Sequence, residues 1–373
     1  MRILLISHKT PPIHGAAIIG DAVLMSVSQH EGIDYQHVNL SINNGKYNRK
    51  NSFLKKVYLM LKLYFDIFYQ LIVFRPKVIY LTPTLINIGL IRDLMLIIGL
   101  KFYLFITSNR SRIIIHIHMR PQLGFVKRCI YWMMLRRTEV ILLSNILIKD
   151  FGFMKRGFLR VHVLNNFVFT TNRDRINDII EKRVRRRLNC KEIVVLYIGH
   201  MTKSKGLYRA LEVARLVSKS MESIVFKFYG EFHQDSDQEY FENYIKKFEL
   251  GNRVGYYGFC NNEMKSGVYE NADIFILTSY SEAFPLVILE AMSYGLMVVA
   301  NNTGAVSEIL SNFGKIVDCT IDEENYLIDF SEQILTSIPL IEINNMTCEV
   351  AYIEQNYGYD NFKSGLYKIF LQQ

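Results

Sequence analysis

Glu282 and Glu290 stand eight positions apart in S-E-A-F-P-L-V-I-L-E, residues 281–290. Pro285 between them suits a helix start, where its fixed φ helps and its missing N–H is not needed. The run Leu286–Met292 reads as helical, and Gly295 is a natural C-terminal stop. The apolar strand Ile274–Leu277 leads into the stretch. Glu282 is therefore expected in a loop before a helix, and Glu290 about one and a half turns inside it. Between them lie the first amides of that helix, at Leu286 and Val287. Free amides and the helix dipole attract phosphate. Carboxylates beside a phosphate site suit a phosphate with sugars on both sides, because a carboxylate accepts from pairs of hydroxyls. Paired carboxylates also occur in glycosidases, but a helix N-terminus between them favours a phosphate ligand.

A bare pair of glutamates at this spacing arises by chance. The full string S-E-A-F-P-L-V-I-L-E-A-M-S-Y-G, followed by V-V-A-N-N-T-G-A-V-S-E-I-L, is far more specific. It resembles the E-x7-E region of retaining glycosyltransferases with the GT-B fold, the family-4-like enzymes called glycosyl transferases group 1. The resemblance covers nearly the whole chain and is strongest in residues 193–310. It implies transfer of a sugar from a nucleotide-diphosphate sugar to an acceptor hydroxyl, with retention, without a metal and with no cofactor beyond that donor. Glu290 is then expected to hold the ribose hydroxyls, and Glu282 to bind and orient the transferred sugar. Phe284 and Pro285 would line the same pocket, and the amides of Leu286 and Val287 would meet the diphosphate.

The resemblance extends to G-H-M-T-K-S-K-G after the strand Ile193–Ile198, where Gly199 and His200 open the family's phosphate-side turn and Lys205 and Gly206 match its Lys-Gly. His200 stands where an arginine is common, and a neutral imidazole lacks the arginine's bidentate fork. Lys205 is thus expected to carry most of the diphosphate charge, with Lys203 nearby. The early loop H-K-T-P-P-I-H-G-A keeps one of the family's two adjacent glycines, Gly15, and has Ala16 beside it. An ordinary strand-to-helix turn is the competing reading there. Gly258, Phe259 and Cys260, at the end of V-G-Y-Y-G-F, correspond to the turn against the nucleobase. In R-I-I-I-H-I-H-M, His116 and His118 point to one side of a strand. A metal pair, two structural histidines, and the family's cleft-facing histidine all fit; the last selects His118, nearer the strand end. The D-S-D of residues 235–237 is assigned to helix capping rather than metal. No carboxylate nucleophile stands opposite Glu282, so front-face attack assisted by the leaving phosphate is the expected mechanism. A sugar-nucleotide epimerase and a non-catalytic polysaccharide-assembly factor remain as alternatives.

A chain of 373 residues, 50% hydrophobic and 21% charged, suggests two globular domains. Alternating strands and helices predict an α/β chain: two Rossmann-like doubly wound domains facing a cleft. The expected domains are 1–168, on the acceptor side, and 169–355, binding the nucleotide sugar, with a terminal helix in 356–373 crossing back to the first. Strands are expected at Ile3–Ser7, Val78–Leu81, Val140–Ser144, Ile193–Ile198, Val225–Tyr229, Val254–Phe259 and Met297–Ala300. Residues 43–52 read as an exposed loop. The stretch Leu85–Ile106 is apolar but interrupted by Arg92, Asp93 and Lys101, and reads as helix, turn and strand rather than a membrane span. The run K-R-V-R-R-R-L within 169–190 reads as a solvated helix face.

Five widely spaced cysteines show neither metal nor disulfide spacing and fit a reducing cytoplasm. The start reads as a strand, not a signal peptide. A net charge of +9 suits a phosphorylated substrate or an anionic membrane surface. Two basic, aromatic segments, Phe53–Phe74 and Val126–Arg137, read either as membrane-surface helices or as core helices with basic edges. The first reading gives a peripheral protein on the inner face of a bacterial membrane, acting on a lipid-linked saccharide in surface polysaccharide synthesis. No module for nucleic acid is present.

Overall fold

A computed structural model describes residues 1–11, 14–41, 53–85, 87–108, 110–121, 124–154, 157–190 and 192–372. The expected loop at 43–52 lies outside the described residues. The chain divides into two compact units, residues 1–166 with 362–373, and residues 167–361.

The first unit runs β1 (Arg2–Ser7), α1 (Gly15–Ser28), β2 (Asp34–Asn39), α2 (Phe53–Phe74), β3 (Val78–Leu81), α3 (Asn87–Ile106), β4 (Arg112–Ile117), α4 (Phe125–Leu135), β5 (Glu139–Leu142), α5 (Asn145–Asp150) and β6 (Arg160–Val163). Its six strands form a parallel sheet ordered β2-β1-β3-β4-β5-β6. The central strands are continuous apolar runs because helices cover both faces. β1 and β3 are buried along nearly their whole length. β2 went unread in the sequence: D-Y-Q-H-V-N has no apolar run, because an edge strand needs none. The chain leaves β1 first for β2 on one side and then for β3 on the other, so the strand order reverses between β1 and β3.

Within the stretch expected as helix, turn and strand, Asn87–Ile106 is one continuous helix. Its charges have partners that periodicity does not reveal. The buried Asp93 accepts from Arg92 at 2.7 and 3.0 Å and from the Thr84 amide at 2.7 Å. Lys101 donates to the carbonyls of Met133, Met134 and Arg136, closing the C-terminal end of α4.

The second unit runs α6 (Arg173–Cys190), β7 (Ile193–Ile198), α7 (Leu207–Ser220), β8 (Ile224–Tyr229), α8 (Asp235–Lys247), β9 (Val254–Tyr256), α9 (Asn262–Glu270), β10 (Ile274–Leu277), α10 (Leu286–Ser293), β11 (Met297–Asn301), α11 (Val306–Leu310), β12 (Lys315–Val317), α12 (Glu323–Ser337) and α13 (Ile343–Tyr357). A last helix, α14 (Tyr359–Leu371), follows; residues from Phe362 onward belong to the first unit. There Arg112 donates to the carbonyls of Ile369 and Phe370, and Tyr367 to that of Ser26.

The second sheet is also parallel, ordered β12-β11-β10-β7-β8-β9. The chain builds outward from β7 through β8 and β9, then returns to the other side of β7 at β10. Its reversal point lies between β7 and β10. Ligands of open α/β sheets sit beyond the C-terminal ends of the strands at such a point. β9 stops at Tyr256, short of the expected Phe259, because Gly258 takes a left-handed φ of 79°.

The basic run in α6 is not simply solvated. Arg183 is 1% exposed and donates to the carbonyls of Tyr294, Gly295 and Tyr269. Arg186 pairs with the buried Asp273 at 2.7 Å, and Arg187 donates to the Ile341 carbonyl. A single guanidinium carries five donors, so an arginine can serve several helix-end carbonyls from inside the fold. The D-S-D does not cap its helix either. Gln234 is the cap residue, and Asp235 and Asp237 lie in the first turn, where their charge meets the helix dipole. Asp237 is buried and accepts from the Tyr208 hydroxyl at 3.1 Å.

Candidate functional site

In the second unit the turn after β7 and the loop after β10 meet at the strand-order reversal. Lys205 Nζ donates to Glu282 Oε1 at 2.8 Å, with both side chains partly buried. The turn is tied down by main-chain acceptors. Tyr197 OH donates to the carbonyls of His200 and Lys205, the Tyr280 amide to Ser204 and the Thr278 hydroxyl to Gly206. Gly206 has φ of 78°, and a Cβ there would sit 2.0 Å from the Thr278 carbonyl oxygen. Only glycine permits this approach, which brings Lys205 to Glu282. Glu282 is held in turn by the segment after β11. Its amide donates to Thr303 Oγ1 at 3.3 Å, and the Ala305 amide to the Ala283 carbonyl at 2.9 Å. Neither Thr303 nor Ala305 carried a role in the sequence reading.

Helix α10 begins at Leu286, with Pro285 as its cap residue rather than its first helical one. The Leu286 and Val287 amides therefore precede any intrahelical acceptor. Glu290 is the fifth residue of α10. Its carboxylate accepts from Lys265 Nζ at 2.7 and 2.9 Å and from Tyr269 OH at 2.7 Å. A carboxylate offers about four lone-pair sites, so further acceptor capacity remains. Burial and the adjacent Glu290 hold the Tyr269 hydroxyl well above its usual range, so it stays a donor. Lys265 and Tyr269 were missed in the sequence because they come from α9, and only the tertiary fold sets α9 beside α10.

Phe284 is buried, its ring edge-on to Tyr357 at 5.9 Å. The turn Gly258–Cys260 ends β9. Gly258 accepts from the Gly230 amide, Phe259 is exposed, and Cys260 is buried. Burial raises the Cys260 thiol, with Lys265 and Glu290 close enough to act on it in opposite senses. The turn expected to meet the nucleobase thus neighbours the glutamate expected to meet the ribose. Gly199 and His200 leave the end of β7. The His200 ring is exposed and contacts His233, a residue the sequence reading did not single out.

The first unit holds a separate cluster at the ends of β1 and β4. His118 lies one residue beyond β4, while His116 is inside it, fully buried, with Nδ1 2.7 Å from Tyr80 OH. His116 is therefore structural. The His116 and His118 rings lie 4.1 Å apart. Burial, then His8 and His14, lower His118 to about 3. His8 is lowered to about 4 by burial, His14 and Arg92. His14 caps α1, accepting from the Ala17 amide, so Gly15 and Ala16 form the first turn of that helix, Gly15 exposed. Among the described residues no group of three or more His, Cys, Asp or Glu is placed to hold a metal. His8 and His14 were legible only as part of H-K-T-P-P-I-H, whose ends the loop brings together at 5.3 Å between rings.

Residues 178–333 match the family model described as Glycosyl transferases group 1. An uncharacterized 41.2 kDa protein in cps region of Klebsiella pneumoniae is 28% identical over 153 residues, 41% of this chain and 39% of that protein. The chain spans 30–39% of the length of the curated relatives of this kind that it matches. The fold is similar over nearly the full length to a sucrose-phosphate synthase from Thermosynechococcus elongatus, with a TM-score of 0.72, 14% identity, and 99% and 98% of the two chains covered. It is likewise similar to HepE of Anabaena in complex with UDP, with a TM-score of 0.70, 15% identity and 99% of each chain covered. The fold is that of the GT-B glycosyltransferases.

Proposed function

We propose that this chain, with its group 1 match on a GT-B fold, is a retaining glycosyltransferase using a nucleoside-diphosphate sugar as donor and no metal. The observation that carries the reading is the contact between Lys205 and Glu282 at the strand-order reversal, with α10 beginning four residues later. An ammonium group and free amides at one place suit the charge that develops on a departing diphosphate. Glu282 beside them suits the hydroxyls of the sugar being transferred, and Glu290 those of the ribose. Arrival of the diphosphate would draw Lys205 from Glu282 and release that carboxylate to the sugar. With no second carboxylate assigned as nucleophile, attack on the same face as the leaving phosphate is the mechanism favoured.

For the acceptor we propose a lipid-linked saccharide at the inner face of a bacterial membrane. Support comes from α2 and α3. Helix α2 is long and apolar enough to cross a membrane by length and composition, with a mean hydropathy of 1.6 over Val57–Phe74. One stripe, Leu63, Ile67 and Leu71, is buried in the core of its own unit. The opposite stripe, including Leu54, Leu61 and Phe65, is exposed. On α3, Met95, Phe102 and Phe105 are exposed likewise. Helices apolar on both sides, with Lys62 exposed on α2 and Arg128 and Arg136 exposed at α4, suit an anionic surface.

The test is incubation of the purified chain with UDP-, GDP- and ADP-sugars, with and without a lipid-linked saccharide. Acceptor-dependent release of nucleoside diphosphate is expected; the Anabaena neighbour makes UDP-sugars the first to try. Conversion of the donor without acceptor would instead mean an epimerase. Neither binding nor turnover across the panel would leave a non-catalytic assembly factor.

A further inference from the structure

We infer that His200 and His233 form one proton-sharing pair that contacts the donor diphosphate and takes up a proton when the donor binds. The inference rests on the donor site proposed above and adds His233 to it. His233 Nε2 lies 2.7 Å from His200 Nδ1, with the ring centroids 4.4 Å apart. Two nitrogens at that distance share one hydrogen, since neither lone pair can face the other unprotonated. In the neutral pair the second ring hydrogen sits on one outer nitrogen, either His200 Nε2 or His233 Nδ1. The other outer nitrogen is bare and would repel a phosphate oxygen. One added proton, taken from solvent, puts a hydrogen on both outer nitrogens and keeps the shared one. The pair then presents two outward donors and one positive charge, which neutral imidazole alone lacks.

The geometry is fixed by the backbone. The Met201 amide donates to the Glu231 carbonyl at 3.0 Å and the Gly199 amide to the Tyr229 carbonyl at 3.1 Å, which lock the ends of β7 and β8 together. The groups acting on His200 are His233 and Glu231 from the loop after β8, Lys205 from its own turn, and Glu282 from the loop after β10. Partial burial, His233 and Lys205 lower His200 below its ordinary value, while the two glutamates oppose this. An arriving diphosphate supplies the opposing charge that favours the added proton.

Isothermal titration with UDP-, GDP- and ADP-glucose, in buffers of different ionisation enthalpy between pH 6 and 8, reads this directly. The diphosphate of a nucleotide sugar does not itself titrate in that window. We expect proton uptake on binding, and affinity falling about fivefold or more from pH 6 to 8. His200→Arg should abolish the uptake and bind tighter than the unaltered chain at pH 8. His233→Asn leaves the His200 ring able to take a proton alone but removes one outward donor and the shared hydrogen, so binding at pH 6 should weaken about fivefold or more. Thermal unfolding without ligand at pH 8 checks that both variants fold; a variant that does not is replaced by His200→Lys or His233→Gln. Binding without proton uptake, uptake unchanged in His200→Arg, or binding at pH 6 unweakened in His233→Asn overturns the pair alone. No binding of any of the three sugars at any pH overturns the donor site and the pair with it.

Discussion

Lys205 and Glu282 are each other's partner in the unliganded chain, so each can be asked what it does by removing one charge. Lys205→Met removes the ammonium and leaves the rest of the turn intact, because the turn is held through main-chain carbonyls. A hydrogen bond to a charged group contributes roughly 1.5–3 kcal/mol, so donor affinity measured by titration should fall about ten- to hundredfold. Unchanged affinity would remove Lys205 from the diphosphate. The two glutamates should separate kinetically. Glu282→Gln weakens contact with the reacting sugar and should lower kcat. Glu290→Gln weakens a contact remote from the breaking bond and should chiefly raise the donor KM. The reverse pattern would exchange their roles.

At the scale of elements, Arg183 joins α6 to the ends of α9 and α10. Arg183→Met would leave the carbonyls of Tyr294, Gly295 and Tyr269 without their donor. Leaving buried acceptors unpaired costs about 1–3 kcal/mol each. Arg185→Ala on the same helix breaks only an exposed pair with Glu181 and should cost at most about 0.5 kcal/mol. Urea midpoints compare them; equal losses would mean that α6 is held by its apolar side alone. The histidines at the ends of β1 and β4 make a second element-scale prediction. Their folded values lie below 6.5, so the unfolded chain binds more protons between pH 6.5 and about 3. Stability from this source is full above pH 6.5 and declines as pH falls through that window. The midpoint of thermal unfolding should therefore drop less between pH 7.5 and 4.5 in His118→Asn than in the unaltered chain. An equal drop would show that His118 is already solvated.

At the scale of the molecule, the outward stripes of α2 and α3 leave large side chains in water, Phe65 at 70% and Phe105 at 82% exposure. Large apolar side chains exposed along a helix face suit the proposed membrane contact. Co-sedimentation should recover the chain with anionic vesicles at low salt, and raised salt should weaken recovery by screening the basic rim. Phe65→Glu with Phe105→Glu should reduce recovery at least about tenfold without shifting the thermal midpoint, since neither ring is in the core. Full recovery of the double variant would place the contact elsewhere. A concentration-dependent dimer without vesicles, lost in the same variant, would assign the stripes to a second copy of the chain.

The sequence by itself determined both sheets' central strands, the bounds of α2 and the placing of Glu282 before, and Glu290 within, a short helix. Those features are local: an apolar run, a helical period or a proline beside a helix start is complete within a few residues. Edge strands β2 and β12, the carbonyl partners of Arg183 and Lys101, and the attachment of Glu290 to Lys265 and Tyr269 were decided only by the tertiary structure. Each depends on which elements the strand order makes neighbours, and a partner brought near from 20 or 100 residues away leaves no period in the chain. The same reason hid His233, an ordinary exposed histidine until β8 delivers its loop beside β7.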